Sequence, residues 1–289
     1  MTTVADRSGP PPAGDTHTIE ARSAAERRFR LGDLPGWALS SALFAIVLAA
    51  WEIVVRVTGV SPIIVPPPSD VAVALVKGLV DGELVFHTWI TLQEILGGFL
   101  IATILAMALA LLVSQSTLAE KAVLPLVVTI QAVPKVAVAP LLLIWFGFGM
   151  TSKTLTTALI AFFPLLINAI LGLNSAGADE RNMLRSFGAS EWQVMRRLRL
   201  PSALPYVLAG LDSAAILSVL GAIVAEFVGA QAGLGYVIQA SNTQLDTASM
   251  FAVLVILSVI GLVLHFLITG IGRRAVFWSA DNDVRVQDV

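Results

Sequence analysis

Long apolar runs alternating with short charged or proline-rich breaks dominate this chain. A helix needs about 20 apolar residues to cross a hydrocarbon layer roughly 30 Å thick. Six stretches approach or exceed that length: 36–57, 88–113, 122–146, 154–173, 205–228 and 248–272. The pattern predicts an all-α integral membrane protein of about six transmembrane helices. Pro134 and Pro140 fall inside the third stretch and are expected to kink it, because proline lacks the N–H that a helix interior uses.

Between the first two spans, Pro62 and Pro66 to Pro68 precede Ser69-Asp70, which reads as an extended turn capping a short interfacial helix over 71–80. Gly233 and Gly235 flank Leu234 and predict a backbone bend before the last span. The first 33 residues hold Pro10 to Pro12, several arginines and no sustained apolar period, so they are expected to form a disordered tail. The expected organisation is a tail over 1–33, a transmembrane domain over 34–278 and a second tail over 279–289. The first apolar run begins too late, and is too long, for a cleavable signal peptide.

Composition agrees with lipid as the main solvent. The chain is 56% hydrophobic and 13% charged, with a mean hydropathy of +0.84, against about 25% charged residues in soluble domains. The absence of cysteine excludes disulfides, thiolate metal sites and cysteine nucleophiles. His17, His87 and His265 are too few and too scattered for a zinc site, so no metal and no catalytic residue is assigned.

The distribution of charge says more than the net charge of -2. With the N-terminus placed inside, 14 of the 18 lysines and arginines fall on inner segments. Arg56, Lys77 and Lys153 fall outside, and Lys135 lies within a span. The positive-inside bias therefore predicts cytoplasmic termini.

The inner segment 174–204 has more local structure than a connector needs. Asp179 is positioned to cap a short helix carrying Met183, Leu184 and Phe187 on one face, and Gly188 suits the left-handed residue that ends it. Ser190 with Gln193 forms a capping box for a second short helix, in which Trp192, Met195 and Leu198 make a stripe beside Arg196, Arg197 and Arg199. Pro201 is expected to end that helix. The outcome is a helix, glycine turn, helix module with an apolar side to dock and a basic side to present.

These residues resemble the permease subunits of bacterial ATP-binding-cassette importers. The hallmark of that family is a cytoplasmic EAA loop reading Glu-Ala-Ala, three residues, Gly, nine residues, Ile, one residue, Leu-Pro. Gly188, Leu198, Leu200 and Pro201 fall at those spacings, with leucine for isoleucine, whereas Asn182, Met183 and Leu184 replace Glu-Ala-Ala. The stretches Pro134 to Ala137, Trp145-Phe146-Gly147, Leu200 to Pro205 and Gly233 to Tyr236 look like the nitrate, sulfonate and taurine branch.

The resemblance implies a type I importer fold in the bacterial inner membrane. Two permease subunits, as a homodimer, would meet two cytoplasmic ATPase subunits that hold ATP and Mg, and an external solute-binding protein. It also implies that Asp179, Gly188, Ala189, Ser190, Trp192, Met195, Arg196, Leu198, Leu200 and Pro201 couple to the ATPase. The chain itself shows no Gly-x-x-x-x-Gly-Lys-Ser/Thr phosphate loop and is expected to bind no cofactor.

Polar residues inside the spans are costly, and so carry either structure or function. Lys135 and Glu226 are candidates for the translocation pathway together with Gln131 and Asn168. The two charges would pair, or Lys135 would offset an anionic solute. Gln131 and Asn168, with Asp212 and Gln239, also read as bonds between helices, His87 and His265 as structural histidines rather than proton relays, and Glu52 with Arg56 as a pair four residues apart. An intramembrane enzyme would need a convergent nucleophile and base or a metal set, and a channel a selectivity filter; neither pattern is present. A DNA-binding helix-turn-helix is excluded by placement between two membrane spans.

Overall fold

A computed structural model describes residues 36–276, and both expected tails lie outside them. Every regular element among the described residues is helical. Five helices are long and apolar enough to cross a membrane, and a pair bent by 81° makes a sixth if it counts as one span. The chain divides into two compact units at residues 57 and 58.

The first unit contributes α1 (Gly36–Thr58), an apolar helix whose outward residues include Leu43, Phe44, Ile46 and Val57. Its one turn of opposite charge, Glu52 and Arg56, forms the expected ion pair.

The second unit begins with α2 (Pro68–Val80), three residues earlier than expected. Pro67 is its N-cap and Pro68 its first residue, so Ser69 and Asp70 lie inside the first turn and do not cap it. Proline at the first helical position forfeits no hydrogen bond, because that N–H has no partner in any helix.

Three long helices form the body of the unit: α3 (Glu83–Val113), α6 (Met150–Asn174) and α9 (Leu200–Gly229). Ala102, Ala106 and Ala110 recur every fourth residue on α3 and meet Ala158, Ala161, Leu165, Ala169 and Leu173 of α6 in one core, to which α9 adds Ala203, Val207 and Ala214. Small residues on a stripe let backbones approach closely, which is the main packing device where lipid and side chains are equally apolar. Gly221 on α9 lies against the backbone of α6, where a Cβ would come within 2.8 Å of the Thr157 Cα, and a Cβ at Gly98 on α3 would come closer still to the Thr157 side chain. A second core joins Leu84, Ile223, Leu234, Val237, Val253 and Leu257.

The stretch expected as one kinked span is broken. α4 (Thr117–Gln131) stops before Pro134, a 3₁₀ turn runs over Lys135–Val138, and α5 (Ala139–Phe146) follows. Proline has no N–H to donate and disfavours helical angles at the residue before it, which suits a helix that ends at Gln131, three residues ahead of Pro134. Pro140 kinks nothing, because it sits in the first turn of α5.

After α6 the loop carries α7 (Ala178–Ser186) and α8 (Glu191–Val194). Beyond α9, the bend expected around Gly233 leads into a short helix, α10 (Leu234–Thr243), before the last span, α11 (Thr247–Ala275).

Candidate functional site

The loop between α6 and α9 begins with a cap on α7 that differs from expectation. Gly177 is the N-cap, and Asp179 sits inside the first turn. The Glu180 side chain, at the third helical position, accepts from the Gly177 N–H at 3.1 Å. Glu180 thus supplies the half of a capping box that a glycine cap leaves available, and Asp179 contributes negative charge near the helix N-terminus.

The end of α7 is a Schellman motif, as the glycine predicted. Gly188 has φ +77°, its N–H donates to Arg185 O at 2.9 Å, and the Ala189 N–H donates to Leu184 O at 3.1 Å. Ser190 then caps α8 reciprocally with Gln193: Ser190 N–H donates to Oε1 at 2.8 Å and Gln193 N–H to Oγ at 3.3 Å. Arg185 makes two hydrogen bonds to the Glu191 carboxylate, at 2.8 and 3.0 Å, closing the elbow from outside. Both caps and the turn hold the two short helices at a set angle, while Met183, Phe187 and Trp192 stand exposed.

The second half of the loop departs from expectation at Pro201. That residue does not end the helix but lies in the first turn of α9, and one helical path runs over Glu191–Gly229. A π turn, Met195–Arg199, makes this possible: the Leu200 N–H donates to Met195 O, five residues back. Where one residue too many enters a turn, the helix widens and continues.

The wider turn also changes which residues face inward. Val194 and Arg199, five apart, are the buried ones, while Met195, Leu198 and Leu200 are half-buried and Trp192, Arg196 and Arg197 are exposed. Arg199 therefore does not belong to the basic outer side. Its Nε donates to Leu173 O at 2.9 Å, and its Nη2 donates to Ser114 O and to Asn174 Oδ1, each at 2.8 Å.

The intramembrane candidates separate. Gln131 ends α4 and Lys135 opens the 3₁₀ turn, both half-buried, with the Lys135 ammonium 5.2 Å from the centre of the Phe163 ring. Asn168 donates to Pro164 O of its own helix at 2.8 Å. Glu226 is fully buried and, contrary to the expected pairing, makes no ion pair with Lys135. It accepts instead from Thr91 Oγ1 at 2.6 Å and from the Gly235 N–H.

Glu226 belongs to a polar knot that the sequence reading missed. The Gly233 N–H donates to His87 Nδ1 at 3.0 Å and the Leu234 N–H to Thr91 Oγ1 at 2.7 Å, so three successive amides at the start of α10 are held by side chains of α3 and α9. Gly233 has no room for a side chain, because the Glu226 carboxylate fills that place. Beside it, the buried Glu94 accepts from Lys153 Nζ at 2.8 Å, and Lys153 also reaches Ala232 O at 3.3 Å. A lone acid inside the apolar stretch 88–113 was the available signal for Glu94. Lys153, counted among the outer cations, lies in the first turn of α6.

Of the residues expected as bonds between helices, Asp212 and Gln239 take that part, with His265 Nδ1 2.7 Å from Asp212 Oδ1 and Gln239 Nε2 donating to Phe227 O at 2.6 Å, whereas the Asn168 bond stays within its own helix. Among the described residues no group of three or more acidic or histidine side chains could hold a metal.

Comparison with known proteins agrees with this architecture. Residues 98–276 match the family described as binding-protein-dependent transport system inner membrane component. A riboflavin transport system permease protein of Chloroflexus aurantiacus is 37% identical, over 81% of this chain and 88% of the relative. A formylaminopyrimidine transport permease protein of Halalkalibacterium halodurans is 36% identical, over 76% and 87%. A taurine transport system permease protein of Escherichia coli is 29% identical, over 84% and 90%. The matched region holds the second half of α3, the two-helix loop, the π turn and all the later spans. The chain therefore belongs to the binding-protein-dependent transport system inner membrane components, and is a permease subunit of an ATP-binding-cassette importer rather than an enzyme.

Proposed function

We propose that this permease works as a homodimer with two ATPase subunits, its α7–α8 elbow facing the cytoplasm and seated in a groove of the ATPase. The observation that carries this reading is the elbow itself: two capped helices around a left-handed glycine, running without a break into a membrane span. Exposed Met183, Phe187 and Trp192 supply an apolar docking face, and the concentration of arginines beside them supports the inward orientation and cytoplasmic termini. Closure of the ATPases on ATP would displace the elbow and rock the spans between inward-open and outward-open arrangements. ATP and Mg would be held by the ATPase subunits, with no cofactor on this chain.

The test is reconstitution in nanodiscs with the co-expressed ATPase subunit and the external binding protein. ATP hydrolysis should rise when the solute-loaded binding protein is added. Failure of the ATPase to co-purify overturns the reading.

For the solute we propose a small anion such as nitrate, a sulfonate or taurine. Lys135 supports this, because its ammonium faces an aromatic ring and has no carboxylate within ion-pair distance among the described residues. Gln131 and Asn168 join it as pathway candidates, while Glu226, tied into the polar knot, keeps a supporting part. Reversing the charge with Lys135→Glu should lower uptake by at least about tenfold, since unit charges in partly screened surroundings interact by several kcal/mol. Normal uptake by both Lys135→Glu and Lys135→Ala would remove the anion reading. A second reading, a nitrogen heterocycle, is favoured by the relatives named for riboflavin and formylaminopyrimidine transport.

A further inference from the structure

We propose that Arg199 is the positioning residue that makes the elbow and three spans move as one body; this rests on the elbow being the site where the ATPase acts. Three observations support it. Arg199 lies at the last position of the π turn, where the path from elbow to α9 is widest and least regular. It is nevertheless buried, with only 9% of its surface exposed, although four other arginines of the same loop have half-buried or exposed positions. Its guanidinium reaches the C-terminal ends of two other spans at once: Ser114 O, at the C-cap of α3, and Leu173 O and Asn174 Oδ1, at the end of α6.

The chemistry suits a mechanical strut. The last carbonyls of a helix have no partner within it, and a cation there meets the negative end of the helix dipole. Arginine offers a planar fork of donors, so one residue can tie two helix ends in a defined geometry, which a lysine point charge cannot do. Ser175 Oγ adds a parallel tie to Ser202 O at 3.2 Å, between the end of α6 and the start of α9.

Farther along the same three helices, Lys153 joins α6 to Glu94 of α3, and Thr91 of α3 joins Glu226 of α9. The triple α3, α6 and α9 is thus fastened at two levels with a close-packed small-residue core between them. A load applied at α8 meets the π turn first. With Arg199 in place, the turn is braced against two neighbouring helix ends and the load turns the triple as a unit; without it, the turn flexes and the spans stay behind.

The chain has no cysteine, so spin labels can be placed directly at Asn182→Cys in α7 and Glu83→Cys at the opposite end of α3. Pulsed electron paramagnetic resonance on the nanodisc complex with its ATPase would compare nucleotide-free and ATP-vanadate states. With Arg199 present, the label-to-label distance should be the same in both states, because both labels ride on one body. Arg199→Gln should shift or split the distribution on ATP-vanadate by about one helical turn, roughly 5 Å, while ATP hydrolysis persists. Arg199→Lys should give an intermediate distribution, and Asn174→Ala, which removes one of the acceptors without touching the arginine, should broaden it.

A purely stabilising arginine would lower the melting temperature of Arg199→Gln and leave the distance independent of nucleotide, and that result overturns the proposal. So does a nucleotide-dependent shift with Arg199 intact. If the unsubstituted chain neither binds the ATPase nor supports hydrolysis, the elbow reading itself falls, which separates the two failures.

Discussion

Lys153→Met is expected to be the most damaging single change in the described chain, because it leaves Glu94 buried without its cation. Removing one partner of a buried ion pair typically costs about 3–5 kcal/mol, more than the intact pair contributes over an apolar replacement. Glu94 has no exposed surface to reach for water, and its Oε2 receives no donor in any case. Lys153 is its ion-pair partner across α3 and α6 and also holds Ala232 O, next to the Gly233–Gly235 amides. Loss of the ammonium should therefore loosen both the helix pair and the start of α10. The double change Glu94→Leu with Lys153→Met removes both charges and should recover most of the loss. Thermal unfolding of the purified protein in one detergent, comparing the two single variants and the double, checks this. Equal melting temperatures for Lys153→Met and the unsubstituted chain would mean that the pair holds nothing together.

The same pair shows where sequence reasoning succeeds and where it stops. Long apolar runs are legible because bilayer thickness sets a minimum length, so α1, α3, α6, α9 and α11 all fall where hydropathy puts them, with ends moved by a few residues. Prolines at element boundaries are legible by position but not by effect. Pro134 follows the end of a helix, whereas Pro140 and Pro201 occupy first turns and interrupt nothing. For Pro201 the difference is the π turn, which depends on how five residues share one widened coil and has no compositional mark.

Side-chain pairing across helices is less legible still. Glu226 and Lys135 were the conspicuous intramembrane charges, yet helix rotation decides contact, and the rotation brings Glu226 to Thr91 and Gly235 instead. Arg199 was hidden in plain composition: an arginine in a basic loop reads as solvated unless the helix phase is known. Local motifs fared better at Gly188 and Ser190 than at Asp179 and Ser69-Asp70, which lie inside first turns instead of capping them. The Ser190 and Gln193 box and the Gly188 turn involve only neighbours in the chain, so their geometry follows from residue identity alone.

That locality makes Gly188 the sharpest probe of the elbow. Gly188→Val is expected to lower productive coupling by about tenfold or more while leaving the protein folded and inserted. At φ +77° a residue with a Cβ meets its own backbone, at a cost of about 1–2 kcal/mol, and a β-branched side chain sits at the unfavourable end. Nothing lies within 4 Å of the place a Cβ would take, so the cost comes from the backbone and not from crowding. The spans do not depend on the turn, but the angle between α7 and α8 does, because the two Schellman hydrogen bonds require the left-handed residue. A shift of that size reduces the correctly bent elbow by about tenfold or more. ATPase co-purification and solute uptake should fall together, with expression and melting temperature little changed. Gly188→Asn supplies the control, since asparagine tolerates the left-handed region far better than valine, and it should retain much of the uptake. If valine and asparagine behave alike, the bend at Gly188 is not what the ATPase grips.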